Sequence, residues 1–478
     1  MGIKGADSYI SILSVAPIFD DDIALDYGTR EEFNISHSVE DASSLLYELK
    51  ISGSIVSECD CYRVDSSVRD EYRKALQGNE CSKYVQAVSL FLEHANAGFA
   101  AKMRNVLGAR AARITSAVLK LALDSSQDDL NDLVEIVHDG ARLGRGADAR
   151  RTVLLLSELP PHPERERQQN FFRALDLWRH GDRENARENL ECVLRFPRQD
   201  LAGAIAAHLL AVLEIDRGEE FLAIPLLEQS LTDLDSISHK QGRVLVLITL
   251  GRAQREIATR ERISNTPTSA TDYFSFARSS FNEAITLAER LGERTGLASA
   301  FLELAISYQR EGDLDLAIQT AENAHANTPS TDPEIVRVLT TLGSFYNKKD
   351  RYSEAALVLE EAFKKSSKSQ PNLELAKVLN VLASNERKRG LKSARQHATE
   401  SVQLGRQLEN SRHIAHSLNT LAATVLDFAE NEVDIDLAEA SLTEARKILQ
   451  DLNDARGLTL IDNTQRVMQR KKKEIRGD

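Results

Sequence analysis

Small residues recur along the second half of the chain at a nearly constant interval, each flanked by Leu or other bulky residues: Ala174, Ala211, Gly251, Ala305, Gly343, Ala383 and Ala422. Successive spacings are 37, 40, 54, 38, 40 and 39 residues. A period of roughly forty residues marks stacked supersecondary units rather than one globular core. Within a unit, Phe301, Leu304 and Tyr308 surround Ala305, Gly312 and Asp313 supply a turn, and Ala317, Ala321 and Ala324 follow at helical spacing. Small residues three and four apart share one helix face, so two axes can approach closely while the large side chains fill the gaps between pairs. The same second-helix triplet recurs as Ala223, Leu227, Ser230; Ala277, Phe281, Ala284; Ala355, Leu359, Ala362; and Ala438, Leu442, Ala445. The pattern predicts a pair of helices per unit and about seven units over 165–460. The long interval between Gly251 and Ala305 predicts an enlarged loop over 259–271, where Asn265, Pro267 and several Ser and Thr stand together.

Residues 1–80 have another rhythm. Ser38 and Asp41 form a capping-box pair ahead of a helix over 39–50, whose Ala42, Leu45, Leu46 and Leu49 make an apolar stripe. Gly53 ends it, and 55–58 and 62–64 then read as two short strands joined around Asp60. Asp65 caps a helix over 66–76. Residues 82–160 are helical again. The glycine-bearing phrase GARLGRGADARR at 140–151 follows a helix and lacks Lys-Ser/Thr, so it reads as a turn between helices. The basic tail from 461, with Arg466, Arg470, Lys471, Lys472, Lys473 and Arg476, reads as a helix fading into solvent.

Composition agrees with a helical chain: aromatics are 5% and Pro only 10 of 478 residues. The net charge of −13 is uneven, because 16 acids against 7 bases in residues 1–80 account for −9 of it. Four cysteines, at 59, 61, 81 and 192, are too few and too scattered for a disulfide framework, which places the chain in the cytoplasm. No apolar run is long enough for a signal peptide or a membrane span.

The repeats resemble the tetratricopeptide repeat, and LNVLA at 379–383 and LNTLA at 418–422 resemble the Asn-bearing repeats of its cargo and scaffold members. That resemblance implies a right-handed α-solenoid whose first helices line a concave groove. The run LLYELKISGSIVSECDCYRVDSSVRDEYRKAL at 45–76 resembles the winged-helix module of STAND-class signalling NTPases, and ILSVAPIFDDDIA at 12–24 is similar to the helix entering that module. No GxxxxGK[ST] is present, so the chain resembles the carboxy-terminal half of that architecture, with an NTPase or effector supplied by a separate subunit. The fold class is therefore an all-α tetratricopeptide-type solenoid behind a small winged-helix-like α+β module. Its expected divisions are 1–80, a connector at 81–164 with half-degenerate repeats, the array at 165–460 and the tail at 461–478.

Counted from the small position, the groove residues of the last three units are Arg337, Thr340, Ser344, Asn347 and Lys348; Lys377, Asn380, Ser384, Arg387 and Lys388; and His416, Asn419, Ala423, Leu426 and Asp427. Five bases against one acid reverse the balance of the whole chain. Asn side chains can bond a peptide backbone and Lys or Arg a carboxylate, so Arg337, Asn347, Lys348, Lys377, Asn380, Ser384, Arg387, Lys388 and Asn419 are the candidate partner-binding set for an acidic segment or a free C-terminus. In the first units Phe171 and Trp178 are candidate apolar anchors, with interhelical packing as the other reading. Two functions follow: a non-catalytic adaptor or sensor that binds protein, or a transcriptional regulator binding DNA through residues 1–80, which their acidity disfavours.

Other chemistry finds little support. Cys59 and Cys61 have no second pair at zinc spacing, and His413 and His416 read as helix-surface residues without a carboxylate partner. Asp20, Asp21, Asp22 and Asp26 lack calcium-loop spacing and read as a helix start. No catalytic motif, cofactor phrase or metal set emerges, and the chain reads as a non-enzyme.

Overall fold

The computed structural model describes residues 6–476 apart from 59–60, 80, 96–98, 124–126, 143–146, 158, 160–163, 197, 264–266, 333, 367–371 and 453. The described residues form 24 α-helices and one two-stranded sheet, in two compact units. Unit 1 comprises 1–213 with 232–237, and unit 2 comprises 214–231 with 238–478.

Unit 1 opens with α1 (Ala6–Leu13), α2 (Asp21–Thr29) and α3 (Val39–Ile51). The acidic run starts α2 as expected: Asp20 accepts the Ile23 N–H at 3.0 Å, and Asp21 and Asp22 fill the first turn. Segment 12–24 is not one helix. It holds the end of α1, an extended stretch in which Phe19 exchanges backbone hydrogen bonds of 2.9 and 2.7 Å with Tyr62, and the start of α2. Pro17 lacks an amide hydrogen and cannot continue α1, which leaves Phe19 free to pair with the sheet. At α3, the Ser38 hydroxyl accepts the Asp41 N–H at 3.1 Å and donates to its carboxylate at 2.9 Å.

Strands β1 (Ile55–Glu58) and β2 (Cys61–Val64) then pair antiparallel, Ile55 opposite Val64 and Glu58 opposite Cys61. Helix α4 (Ser66–Asn79) starts where Asp65 accepts the Ser67 N–H at 2.9 Å. Helices α5 (Cys81–His94), α6 (Ala100–Leu107), α7 (Ala109–Leu123), α8 (Gln127–Arg142) and α9 (Ala147–Ser157) follow. One apolar core, including Tyr9, Phe19, Ile23, Leu46, Val64, Phe91 and Leu119, runs from α1 to α7. The expected turn after Gly140 falls largely on 143–146, outside the described residues.

The repeating small residues fall first on α10 (Arg165–Arg179) and α12 (Leu201–Arg217), each followed by a partner, α11 (Arg183–Leu194) and α13 (Glu220–Ser236). The helices continue in unit 2 as α14 (Lys240–Ile263), α15 (Pro267–Leu291), α16 (Arg294–Glu311), α17 (Leu314–Asn327), α18 (Glu334–Lys348), α19 (Tyr352–Lys365), α20 (Leu373–Lys388), α21 (Ser393–Gln407), α22 (Ser411–Asp427), α23 (Glu432–Asp451) and α24 (Ala455–Arg476). Every repeating alanine of the first helices is fully buried. At the two glycines the approach is closer still: a Cβ on Gly251 would stand 2.5 Å from the Phe281 ring, and one on Gly343 2.5 Å from Leu359 Cγ. The turn residues act as expected, Gly312 ending α16 at φ +108° and Asp313 accepting the Leu316 N–H at 3.0 Å.

The described residues of the expected loop at 259–271 are helical: 259–263 belong to α14 and 267–271 to α15. The extra residues lengthen α14 to 24 residues and α15 to 25. Thr259 satisfies its hydroxyl on the Arg255 carbonyl at 2.8 Å, and Pro267 occupies the first helical position, where no amide hydrogen is needed. Tail residues Arg466–Arg476 extend α24, anchored by buried Ile461 and Met468.

Candidate functional site

In unit 2 the first helices α14, α16, α18, α20, α22 and α24 each touch the first helix of the next repeat, whereas second helices pack on their sequence neighbours. Helices crowd on the inside of a curve, so the first helices line the concave side. Helix α24 also touches α14, which brings both ends of this inner row together.

The sequence-based groove residues divide into two groups. Arg337, Asn347, Lys377 and Arg387 are engaged within the solenoid. Arg337 bonds Glu303 at 2.9 Å, and Lys377 bonds Glu374 at 2.8 Å. Arg387 pairs with Asp427 at 2.5 Å, and Asn347 accepts from Asn385 at 2.7 Å, tying α18 to α20. Lys348 and Lys388 are exposed and Ser384 is half-buried, Lys348 with its ammonium 5.7 Å from the Phe345 ring centre. Asn380 and Asn419 each keep a buried side-chain oxygen that no described group bonds. A buried amide without a partner is costly, and a ligand that completes it regains that energy. In unit 1, Phe171 is enclosed edge-on against Phe172, and half-buried Trp178 carries Arg183 at 4.6 Å from its ring centre.

Part of this side lies outside the last three units. Glu303 of α16 is buried between Arg255 of α14, at 2.7 Å, and Arg337 of α18. Burial opposes its charge, but the two guanidiniums outweigh it and hold the carboxyl far below the ordinary range. Arg255 also bonds Glu256 at 3.2 Å, and Arg310 stands 3.8 Å from the same carboxylate. Burial and neighbouring cations bring Arg310 down to about 10, and the protein walls around solvent-accessible Lys348, with the cations Arg456 and Arg310, bring it down to about 8. Arg456, in the first turn of α24, is one of those cations. The repeat frame extended to Gly251 and Ala305 reaches Arg255, Glu256 and Arg310, but no periodic signal marks Glu303 or Arg456.

His413 is not a surface residue: it is buried, with Nε2 3.0 Å from the Ser401 hydroxyl and 3.1 Å from that of Ser417. Burial and the nearby Lys377 and His416 bring it down to about 4, which keeps it neutral. His416 lies 3.9 Å from Asp454, which Arg412 also faces at 3.8 Å. No group of three or more His, Cys, Asp or Glu side chains positioned for a metal occurs among the described residues. No helix there is long and apolar enough to cross a membrane.

This architecture is a tetratricopeptide-type α-solenoid preceded by a small α+β module. Among solved structures the chain is similar to a signal-transduction ATPase with numerous domains, carrying a tetratricopeptide repeat sensor, from Pyrococcus horikoshii, with 14% identity and a TM-score of 0.56. The match covers 98% of this chain and 66% of that one, so the chain spans just under two thirds of its length. The apo quorum sensor NprR of B. thuringiensis matches over 72% of this chain and 99% of its own, with 13% identity and a TM-score of 0.48. No family model matches the sequence, and no curated protein does.

Proposed function

We propose that the protein is a non-catalytic adaptor or sensor that receives a protein or peptide segment on the concave side of unit 2. The observation that carries this reading is the combination of open Lys348 and Lys388 with the unbonded amide oxygens of Asn380 and Asn419 on one curved inner row. Lysines suit carboxylates and amides suit an extended backbone, so an acidic segment or a free C-terminus fits. Likeness to an ATPase whose repeats are described as a sensor supports the same role, with an effector or NTPase as a separate chain. A bacterial signalling or anti-phage conflict system is the setting this resemblance suggests, and the cytoplasm its compartment.

The amino-terminal module serves in this reading as a protein-contacting winged helix. Its order of helix, bridging extended residue, two helices and hairpin suits that comparison. DNA recognition would place α3 in a groove. Its outward residues include Glu40, Asp41 and Glu48 with exposed Val39, Tyr47 and Ile51, while Lys50 is held by Asp21 at 2.6 Å and lies 3.9 Å from the Tyr62 ring centre. That face repels phosphate and suits an apolar protein contact.

Replacing Lys348, Asn380, Lys388 and Asn419 together by Ala abolishes recovery of the partner in a pull-down read by mass spectrometry, with the helical circular dichroism signal retained. Unchanged recovery overturns the groove reading. Duplex binding by the full chain at low salt, weakening steeply as salt rises, would instead support the regulator.

A further inference from the structure

We propose that the outward face of α24 binds α3 of a second copy of this chain, so that copies join head to tail. This rests on the reading of α3 as a protein-contacting helix and names its partner. Buried Ile461 and Met468 fix the inward side of α24. Its outward side carries exposed Leu460 and Val467, seven residues apart and so on one line of the helix. Beside that line Arg466, Arg470 and Lys473 stand at i, i+4 and i+7, all three exposed. The neighbouring cations are committed, Lys471 to Glu474 at 3.4 Å and Lys472 to Glu439 at 3.0 Å. Arg466, Arg470 and Lys473 form no ion pair among the described residues.

Helix α3 carries the converse pattern. Tyr47 and Ile51, one turn apart, are 65% and 69% exposed. Glu40 lies on the same line seven residues before Tyr47, and Glu48 flanks it. Both acids are exposed and unpaired among the described residues, whereas Lys50 of the same helix is held by Asp21 at 2.6 Å. The excess of 16 acids over 7 bases in residues 1–80 adds long-range attraction of the same sign. The order of features sets the direction of pairing. Acid precedes apolar along α3, and apolar precedes base along α24. Antiparallel helices therefore set Ile51 and Tyr47 against Leu460 and Val467, and Glu40 against Arg470 and Lys473; parallel helices would set acid on apolar. The spans agree, about 17 Å from Glu40 to Ile51 and about 20 Å from Leu460 to Lys473 at the helical rise. The apolar contact supplies burial and the charges fix register. Each joined copy still presents one free α3 or α24 face, so the contact is heterologous and builds chains or closed rings.

Sedimentation equilibrium of the full chain over a concentration series, at low and high salt, tests this. The expected result is reversible association that weakens as salt rises. Arg466→Gln/Arg470→Gln/Lys473→Gln weakens it by roughly tenfold, the combined worth of exposed ion pairs, and Tyr47→Ala/Ile51→Ala also weakens it, with the helical circular dichroism signal retained in both. Each variant keeps one working face, so at concentrations where neither associates alone their mixture forms 1:1 dimers and nothing larger. A wild-type chain that stays monomeric at low salt, a mixture that stays monomeric, or association unchanged in either variant overturns the proposal. Duplex DNA or an acidic protein held by the three α24 bases in a chain that stays monomeric overturns it as well. A monomeric chain that loses capture of another protein on Tyr47→Ala/Ile51→Ala overturns the proposal while leaving the protein-contacting reading of α3 intact.

Discussion

Gly251→Ala sets two effects of opposite sign against each other. In an exposed helix interior, Ala is favoured over Gly by about 1 kcal/mol, and Ala stands at five of the seven equivalent positions of the repeat. At Gly251, however, the added Cβ falls 2.5, 2.7 and 2.8 Å from three carbons of the Phe281 ring. Ordinary carbon contacts are about 3.5–4.0 Å, so the overlap is about 1 Å. Phe281 is fully buried and packs in one cluster with Val244, Leu247, Ala284 and Leu304, so the ring can give way only by displacing buried neighbours. Overpacking of this kind costs about 1–3 kcal/mol, so the net expectation is a loss of about 1 kcal/mol or slightly more. Urea unfolding of the full chain followed at 222 nm measures it, with Gly251→Ala/Phe281→Leu as the partner variant. The smaller side chain is expected to recover more than half of the loss relative to Phe281→Leu alone. A Gly251→Ala protein more stable than the wild type would refute the claim that the small position is set by helix approach.

Three further outcomes follow. Glu303→Ala removes the buried carboxylate shared by Arg255 and Arg337, each of which keeps one other carboxylate partner, Glu256 and Glu334, and costs about 3 kcal/mol in urea unfolding; a neutral Glu303→Ala would contradict the ion network. His413 titrates near 6.5 when unfolded and at about 4 when folded, so stability present above pH 6.5 declines as pH falls towards 4, by up to about 3 kcal/mol. The difference in pH slope between wild type and His413→Asn checks this, and identical slopes would sink it. Asp20→Ala removes the α2 cap and the Lys102 partner at 2.6 Å, lowering the stability of unit 1 by about 1–2 kcal/mol in thermal unfolding.

The repeat phase could be read from sequence because close helix approach admits few residue types at Ala305, Gly343 or Ala383. The hairpin and α3 were equally readable, since Ser38, Gly53 and Asp65 specify local backbone geometry. The extension of α14 and α15 was hidden because Ser, Thr and Pro signal loops, yet Thr259 can bond back along a helix and Pro267 can open one. Phe19 bridging to Tyr62 is a nonlocal pairing with no periodic trace. On the concave side, position within the repeat identified Lys348, Lys388 and the Asn residues but not which cations were already paired. Pairing depends on Glu303 and Asp427 of neighbouring helices, and the place of Arg456 depends on curvature accumulated over the whole row.

Site-specific photo-crosslinking decides whether the concave side of unit 2 receives the partner. A crosslinking residue is placed at Ser384 on α20, or at Leu357 on α19, whose side chain is 70% exposed away from the inner row. The expected result is a covalent partner adduct from position 384 and none from 357. Adducts from 357 with none from 384 would place recognition on the convex face and contradict the account.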